Sequence, residues 1–227
     1  MGLTLHYTLQ AKTRTRAQVR SMVKKLRARA LEMNLAEVGP LRDFPRRSPE
    51  GKQRAMPAMY REFYSRLVQR RGDWIAAPPL ALVGFQILPA QGSESAWIGL
   101  ARYPKEVRAP SGEMVPTKLS GWSYQGFCKT QYASNPQYGG VENFLHAHLS
   151  LVALLDDAAE LGVRVKVTDE GKYWDDRDRD RLAAEVNSWN TMIASVGGQL
   201  KDALGGGVVA PIFQFPNFEH LEAKGRK

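Results

Sequence analysis

The chain has 227 residues, of which 43% are hydrophobic and 24% are charged, and its net charge is +9. These proportions are ordinary for a water-soluble globular protein. The single cysteine, Cys128, excludes an intrachain disulfide framework and any zinc site built from several cysteines. The N-terminal residues show no signal-peptide pattern, and no run of about 18 apolar residues suits a membrane span. We therefore expect a cytoplasmic protein without a membrane partner.

The positive charge is concentrated in the first third of the chain. Residues 12–71 contain 17 Lys and Arg against five Asp and Glu, a net charge of +12. The rest of the chain contains 15 Lys and Arg against 18 Asp and Glu, a net charge of −3. This asymmetry favours an anionic partner, of which nucleic acid is the commonest. The alternative is that the arginines only solvate helix surfaces.

The chain begins with a predicted strand and a predicted helix. Residues 3–9 alternate apolar and polar side chains, which is typical of a half-buried strand. Thr15 and Gln18 then form a capping box, the signature of a helix start. An apolar stripe follows at helical spacing: Val19, Met22, Val23, Leu26, Ala30 and Met33. A basic row lies beside that stripe on one exposed face: Arg16, Arg20, Lys24 and Arg27.

Residues 40–56 are rich in Pro, Gly and Arg and are predicted to form a basic loop. Pro57 suits the first position of a second helix. The apolar side of that helix would consist of Tyr60, Phe63, Tyr64 and Leu67. Residues 76–79 resemble a short rigid linker.

Three strands are predicted next, over residues 80–88, 96–103 and 122–132. The first two are separated by a turn-like segment and should form an antiparallel hairpin. The second and third are separated by a long loop, residues 104–121, of the kind that is often functional or mobile.

The last part of the chain is predicted to contain two helices around one strand. Residues 141–161 form a helix closed by Gly162, and residues 163–168 alternate as a strand. Acidic residues 175–180 start a long helix. Its apolar stripe, which must be buried, consists of Leu182, Val186, Trp189, Ile193, Val196, Leu200 and Ala203.

The order of elements is β-α-α-β-β-β-α-β-α. It predicts one α+β domain, residues 1–227, with helices packed on a largely antiparallel or mixed sheet. We divide the domain into the basic third 12–71, a core of sheet and helices 80–204, and a C-terminal tail 205–227.

Catalytic chemistry has weak support in the residues. Cys128 lies in the middle of a predicted strand, with Lys129 on the opposite face, so we expect a buried and inert thiol. His148 falls on the apolar stripe of its helix, and His146 points about 160° away from it, so the two do not form a metal pair. The residues Gly139 and Gly140 are interpreted as a turn, with an anion site at the helix start as the alternative. We predict no metal and no cofactor.

The hypothesis that follows is non-catalytic binding of nucleic acid or another polyanion by the basic third. The candidate phosphate contacts are Arg14, Arg16, Arg20, Lys24, Arg27, Arg46, Arg47, Lys52 and Arg54. One alternative is an enzyme whose pocket lies between strand 122–132 and helix 141–161 and uses Lys129, Tyr132, His148 and Asp169. Another is a subunit of a larger protein assembly, which would expose an apolar patch such as residues 211–218.

Overall fold

The computed structural model describes residues 3–11, 14–47, 53–204 and 207–226. The strands are β1 (Thr4–Ala11), β2 (Glu37–Val38), β3 (Arg42–Phe44), β4 (Arg46–Arg47), β5 (Gln53–Arg54), β6 (Arg66–Arg70), β7 (Asp73–Ala77), β8 (Ala81–Leu88), β9 (Ala96–Arg102), β10 (Glu106–Arg108), β11 (Met114–Pro116), β12 (Trp122–Lys129) and β13 (Arg164–Asp169). The α-helices are α1 (Arg16–Glu32), α2 (Ala58–Phe63), α3 (Gly140–Glu160), α4 (Tyr173–Asp176), α5 (Arg179–Leu204) and α6 (Phe218–Gly225). Short 3₁₀ helices cover Gln131–Ser134, Pro136–Tyr138 and Pro211–Gln214.

The predicted α+β class is confirmed. The main sheet has the strand order β13-β1-β12-β9-β8-β2, and β3 also pairs with β8. All of these described strand pairs are antiparallel. The predicted hairpin of the strands that are now β8 and β9 is present, with Phe85 opposite Ile98.

The main core lies between the sheet and helices α1 and α3. Leu5 of β1, Phe85 of β8, Val23 of α1 and Leu151 of α3 belong to one buried cluster, and each is fully buried. Burial of one such side chain contributes about 1.5–3 kcal/mol. The alternating and helical patterns in the sequence therefore mark the faces that meet in the core.

Helix α1 starts at the predicted capping box. The Thr15 hydroxyl accepts a bond from the Gln18 N–H, and the Gln18 side chain accepts one from the Thr15 N–H at 2.8 Å. The stripe from Val19 to Ala30 is buried, as predicted. Burial of this stripe turns the row of basic residues away from the core.

Residues 40–79 differ most from the prediction. Strands β3, β4 and β5 occupy part of the predicted loop, because β3 pairs with the outer edge of β8. The second helix ends at Phe63, and Leu67 lies in β6. Strands β6 and β7 form a hairpin whose turn, Arg71-Gly72, has positive φ at both residues, a geometry that suits two-residue hairpins. The predicted linker 76–79 begins inside β7, where Ala77 is fully buried.

Two further boundaries are corrected by the structure. The long loop 104–121 contains the hairpin of β10 and β11, which turns at Gly112 with φ of 88°. The strand predicted over 122–132 ends at Lys129, since the chain turns into a 3₁₀ helix at Gln131.

The C-terminal segment is packed against α5. Ile212 and Phe215 are buried, the 3₁₀ helix Pro211–Gln214 packs on Gly197 of α5, and α6 packs on Gly198. A Cβ atom on Gly198 would meet the Glu222 side chain, so a glycine is needed for the close approach of the two helices. This packing leaves the second half of the predicted α5 stripe in solvent, where Val196 and Leu200 are exposed.

Candidate functional site

Two basic segments that are separate in the sequence lie against each other in the structure. Asp43 of β3 accepts a hydrogen bond from Arg16 at 2.6 Å and from Arg20 at 2.8 Å. Arg16 also donates to the Pro45 carbonyl, and Arg27 donates to the Gly39 carbonyl at 2.8 Å. Residues 39–45 therefore run alongside the basic row of α1.

The charges on this surface are partly neutralised and still accessible. The Asp43 side chain is 17% exposed, whereas the Arg16 and Arg20 side chains are 39% and 48% exposed. The Asp43 carboxylate thus bonds to two arginine side chains that are both more exposed than its own. Lys24 is exposed on the same helix.

The remaining predicted phosphate contacts are placed only in part. Arg46, Arg47 and Arg54 lie in strands β4 and β5, which pair with each other, but their side chains lie outside the described part of the structure. Lys52 lies outside the described residues altogether. Arg46 and Arg47 directly follow Pro45, the residue that Arg16 contacts.

A second group of cations lines a cleft at the end of the main sheet. The cleft has a volume of about 770 Å³ and contains four basic side chains: Arg14, Arg102, Lys105 and Lys118. Glu106 is the one carboxylate that lines it, and the buried Trp122 forms part of its wall. Within the described residues, Arg102, Lys105 and Lys118 take part in no salt bridge.

The two loops that carry the cleft lysines are tied to each other. The buried Thr117 hydroxyl bonds to the carbonyl oxygens of Pro104 and Lys105, and the Thr117 N–H donates to the Lys105 carbonyl at 2.8 Å. Lys118 follows with φ of 57°, a strained conformation for a residue other than glycine. Lys105 and Lys118 therefore lie on two loops that are hydrogen-bonded to each other.

The side chains of the predicted enzyme pocket form two separate pairs. His148 lies between the Thr130 hydroxyl and the Asp169 carboxylate, with both distances at 3.0 Å. Lys129 and Tyr132 contact each other instead, with the Lys129 Nζ 4.6 Å from the Tyr132 ring centre. The Thr130, His148 and Asp169 side chains are buried, and those of His148 and Asp169 have no exposed surface. The buried group connects the residue after β12 with α3 and β13.

The Asp169 carboxylate is held in its charged form. Burial acts to raise the pKa of Asp169, but bonds from His148 and from the N–H groups of Trp174 and Gly171 outweigh it, and the pKa is lowered. The Asp169 carboxylate also links the end of β13 to the following turn at Gly171 and to α4 at Trp174.

The chain matches no protein-family model, no curated protein and no solved structure. Within the described residues, no cluster of three or more His, Cys, Asp or Glu side chains suits a metal ion. None of the described helices is long and apolar enough to span a bilayer.

Cys128 has the environment of an inert thiol, as the sequence indicated. Its side chain is fully buried and donates to the Glu94 carbonyl at 3.1 Å. Burial raises the pKa of Cys128 to about 12, and the nearby Glu94 carboxylate adds to the effect.

The glycines before α3 make a turn. Gly139 and Gly140 both have positive φ, at 108° and 66°. The nearby polar groups are occupied within the protein, since Ser134 donates to the Gln131 carbonyl and the Asn135 side chain accepts from the Gln137 N–H.

Strands β9 and β12 separate after only two residue pairs, Trp122 with Arg102 and Ser123 with Ala101. The Tyr7 hydroxyl bridges the opening by donating to the Trp97 carbonyl at 2.7 Å. An aromatic pocket of about 420 Å³, lined in part by Tyr64, Trp97 and Tyr124, lies above it. The Tyr64 ring packs on both of the others, with centroids 4.6 Å from Trp97 and 5.8 Å from Tyr124.

The sequence reasoning missed three of the four cleft cations, namely Arg102, Lys105 and Lys118. They lie in the part of the chain whose net charge is −3, so a regional sum conceals them. All three lie in or next to the long loop 104–121, which is visible in the sequence. The sequence does not show that the two ends of that loop lie close together.

Proposed function

We propose that the protein binds a polyanion, with nucleic acid as the first candidate, and that it does so without catalysing a reaction. The binding region is the basic surface, which we define as Arg16, Arg20, Lys24 and Arg27 of α1 together with residues 42–47. The observation that supports the proposal is that Arg16 and Arg20 both bond to Asp43, which brings β3 beside the basic row of α1. We also infer a cytoplasmic location, because a lone free thiol fits a reducing compartment.

The geometry of the basic surface suits phosphate groups. Arginine presents a planar fork of donors that matches phosphate oxygens, and Asp43 restrains two such forks on neighbouring turns of α1. Because the guanidinium groups remain exposed, a phosphate backbone has access to them. Their charges are screened by salt, so binding should weaken as the salt concentration rises.

The test is fluorescence anisotropy with labelled single-stranded and duplex oligonucleotides at several salt concentrations. We expect the affinity to fall steeply between about 50 mM and 200 mM salt. Replacing Arg20 and Lys24 together with Gln should weaken duplex binding about tenfold and lower the slope of log K against log salt by about two.

The matched control replaces Arg164 and Lys166 with Gln, which removes the same charge from exposed positions of β13. The control should bind as tightly as the unchanged protein. Absence of binding at low salt would end the proposal. Equal weakening in both variants would show attraction to net charge alone and would contradict a defined surface.

A further inference from the structure

We propose that the cleft at the sheet end is a separate binding site for a phosphoryl group that carries at least two negative charges, such as a pyrophosphate or a phosphate monoester. The cleft is the one described above, lined by Arg14, Arg102, Lys105 and Lys118. Only Arg14 was among the candidate nucleic-acid contacts. The proposal goes beyond polyanion binding by the basic surface and does not depend on it.

The charge of the cleft favours a multiply charged anion. Four cations and one carboxylate give the cleft a net charge of +3. In the part of the chain that the structure describes, three of these cations have no acidic partner, and the Arg14 guanidinium donates to the Leu161 carbonyl at 3.2 Å. A ligand with a single negative charge would leave most of this charge uncompensated.

The arrangement of the cations favours a compact ligand over an extended one. They come from three separate parts of the chain, namely just before α1, around the end of β9 and after β11, and they line one concave volume. Thr117 braces the two loops that carry the lysines, so the cations are held near one another before a ligand arrives. Arginine supplies hydrogen-bond donors in a fixed geometry and lysine supplies a compact positive charge, and phosphate-binding sites commonly use both.

The cleft is large enough to hold a ligand bigger than the phosphoryl group itself. A volume of about 770 Å³ falls within the range of small-molecule sites. Trp122 and Leu119 also line the cleft and give it an apolar surface beside the cations. The ligand class is therefore a phosphorylated small molecule up to about the size of a nucleotide.

The test measures binding of inorganic pyrophosphate by isothermal titration calorimetry at low salt. The cleft variant replaces both Lys105 and Lys118 with Gln, and these side chains are exposed, so the fold should be retained. We expect pyrophosphate to bind the cleft variant at least about tenfold more weakly than the unchanged protein. The control with Gln at positions 164 and 166 loses the same charge and should bind normally. A single Arg102→Gln variant should also weaken binding, which guards against a folding defect in the double variant.

The outcomes separate this proposal from the nucleic-acid proposal. If pyrophosphate fails to bind at millimolar concentration, or binds the cleft variant and the control equally, the cleft proposal is overturned. If the cleft variant loses oligonucleotide binding and the protein has no affinity for pyrophosphate, the cleft belongs to the polyanion surface and the separate site is again overturned. If pyrophosphate binding depends on the cleft while oligonucleotides do not bind at all, the cleft stands and the nucleic-acid proposal fails.

Discussion

At the residue scale, the buried polar groups of the protein are matched to specific partners. His148 is satisfied on both ring nitrogens by Thr130 and Asp169. In the described part of the chain, the Trp97 indole N–H is the one buried side-chain donor without a hydrogen-bond partner. A hydroxyl, an imidazole and a carboxylate in a row resemble a catalytic relay, but here the His148 and Asp169 side chains have no exposed surface.

The thiol of Cys128 should be unreactive in the folded protein. Because burial raises its pKa to about 12, the thiolate fraction at pH 8 should be roughly 10³-fold below that of an exposed cysteine. We expect a disulfide reagent such as DTNB to modify Cys128 slowly in buffer and rapidly in denaturant. Similar rates in the two conditions would contradict the buried environment.

The lowered pKa of Asp169 predicts a pH-dependent contribution to stability. A carboxyl group whose pKa is lower in the folded state stabilises the fold above its unfolded pKa of about 3.9, and that stabilisation is lost as the pH falls through the folded value. Replacing Asp169 with Asn should lower the free energy of unfolding by about 3–5 kcal/mol at pH 7, because His148 and two N–H groups lose a charged acceptor.

Urea denaturation at pH values from 7 down to 3 measures this effect. The difference between the two proteins should shrink below pH 4, where the unchanged protein also loses its carboxylate. A Glu170→Gln variant is the control, since Glu170 is the exposed neighbour that accepts a bond from the Thr4 N–H. A difference that stays constant over the pH range would show that the charge of Asp169 is not what stabilises the fold.

At the scale of elements, the opening between β9 and β12 depends on a glycine. Gly126 of β12 lies beneath the Tyr7 side chain, whose hydroxyl crosses to the Trp97 carbonyl of β9. A Cβ atom on Gly126 would lie 2.7 Å from the Tyr7 hydroxyl oxygen and 2.7 Å from a Tyr124 ring carbon. The absence of a side chain at this position therefore permits the bridge between strands that no longer pair.

Replacing Gly126 with Ala should destabilise the protein by about 1–3 kcal/mol, because Tyr7 must move away from the Trp97 carbonyl. Tyr7→Phe removes the same hydrogen bond without adding volume and should cost about 1 kcal/mol. Chemical denaturation of the two single variants and the double variant checks this. The effects should fall short of additivity, since both changes break one bond, and strict additivity would contradict the shared mechanism.

The apolar stripes of helices α1 and α5 were predicted from the sequence with different success. The residues of α1 from Val19 to Ala30 are buried as their spacing predicts, because one helix face meets one sheet face. The α5 stripe is wrong beyond Ile193, because the C-terminal segment packs on small residues instead: Ile212 and its neighbours on Ala194 and Gly197, and α6 on Gly198. Periodicity indicates which side chains are apolar, but a partner helix with its own shape decides which of them are buried.

At the scale of the whole molecule, the distribution of charge is the basis of both binding proposals. The basic row of α1 and residues 39–45 meet through Asp43, although they are far apart in the sequence. The cleft cations include Arg14, just before α1, and Arg102, the last residue of β9. The cleft lies at the sheet end where Ala11 of β1 and Arg102 of β9 both pair with Trp122 of β12.

The sequence by itself determined the α+β class, the capping box of α1, the inert Cys128 and the surplus of positive charge in the first third, since each depends on local chemistry or composition. The tertiary structure alone decided that Asp43 joins two basic segments, that His148 is sealed against Asp169, and that Arg14, Arg102, Lys105 and Lys118 share one cleft. The physical reason is that these groupings bring together residues between about 20 and 100 positions apart, and only the pairing and packing of distant elements sets such distances.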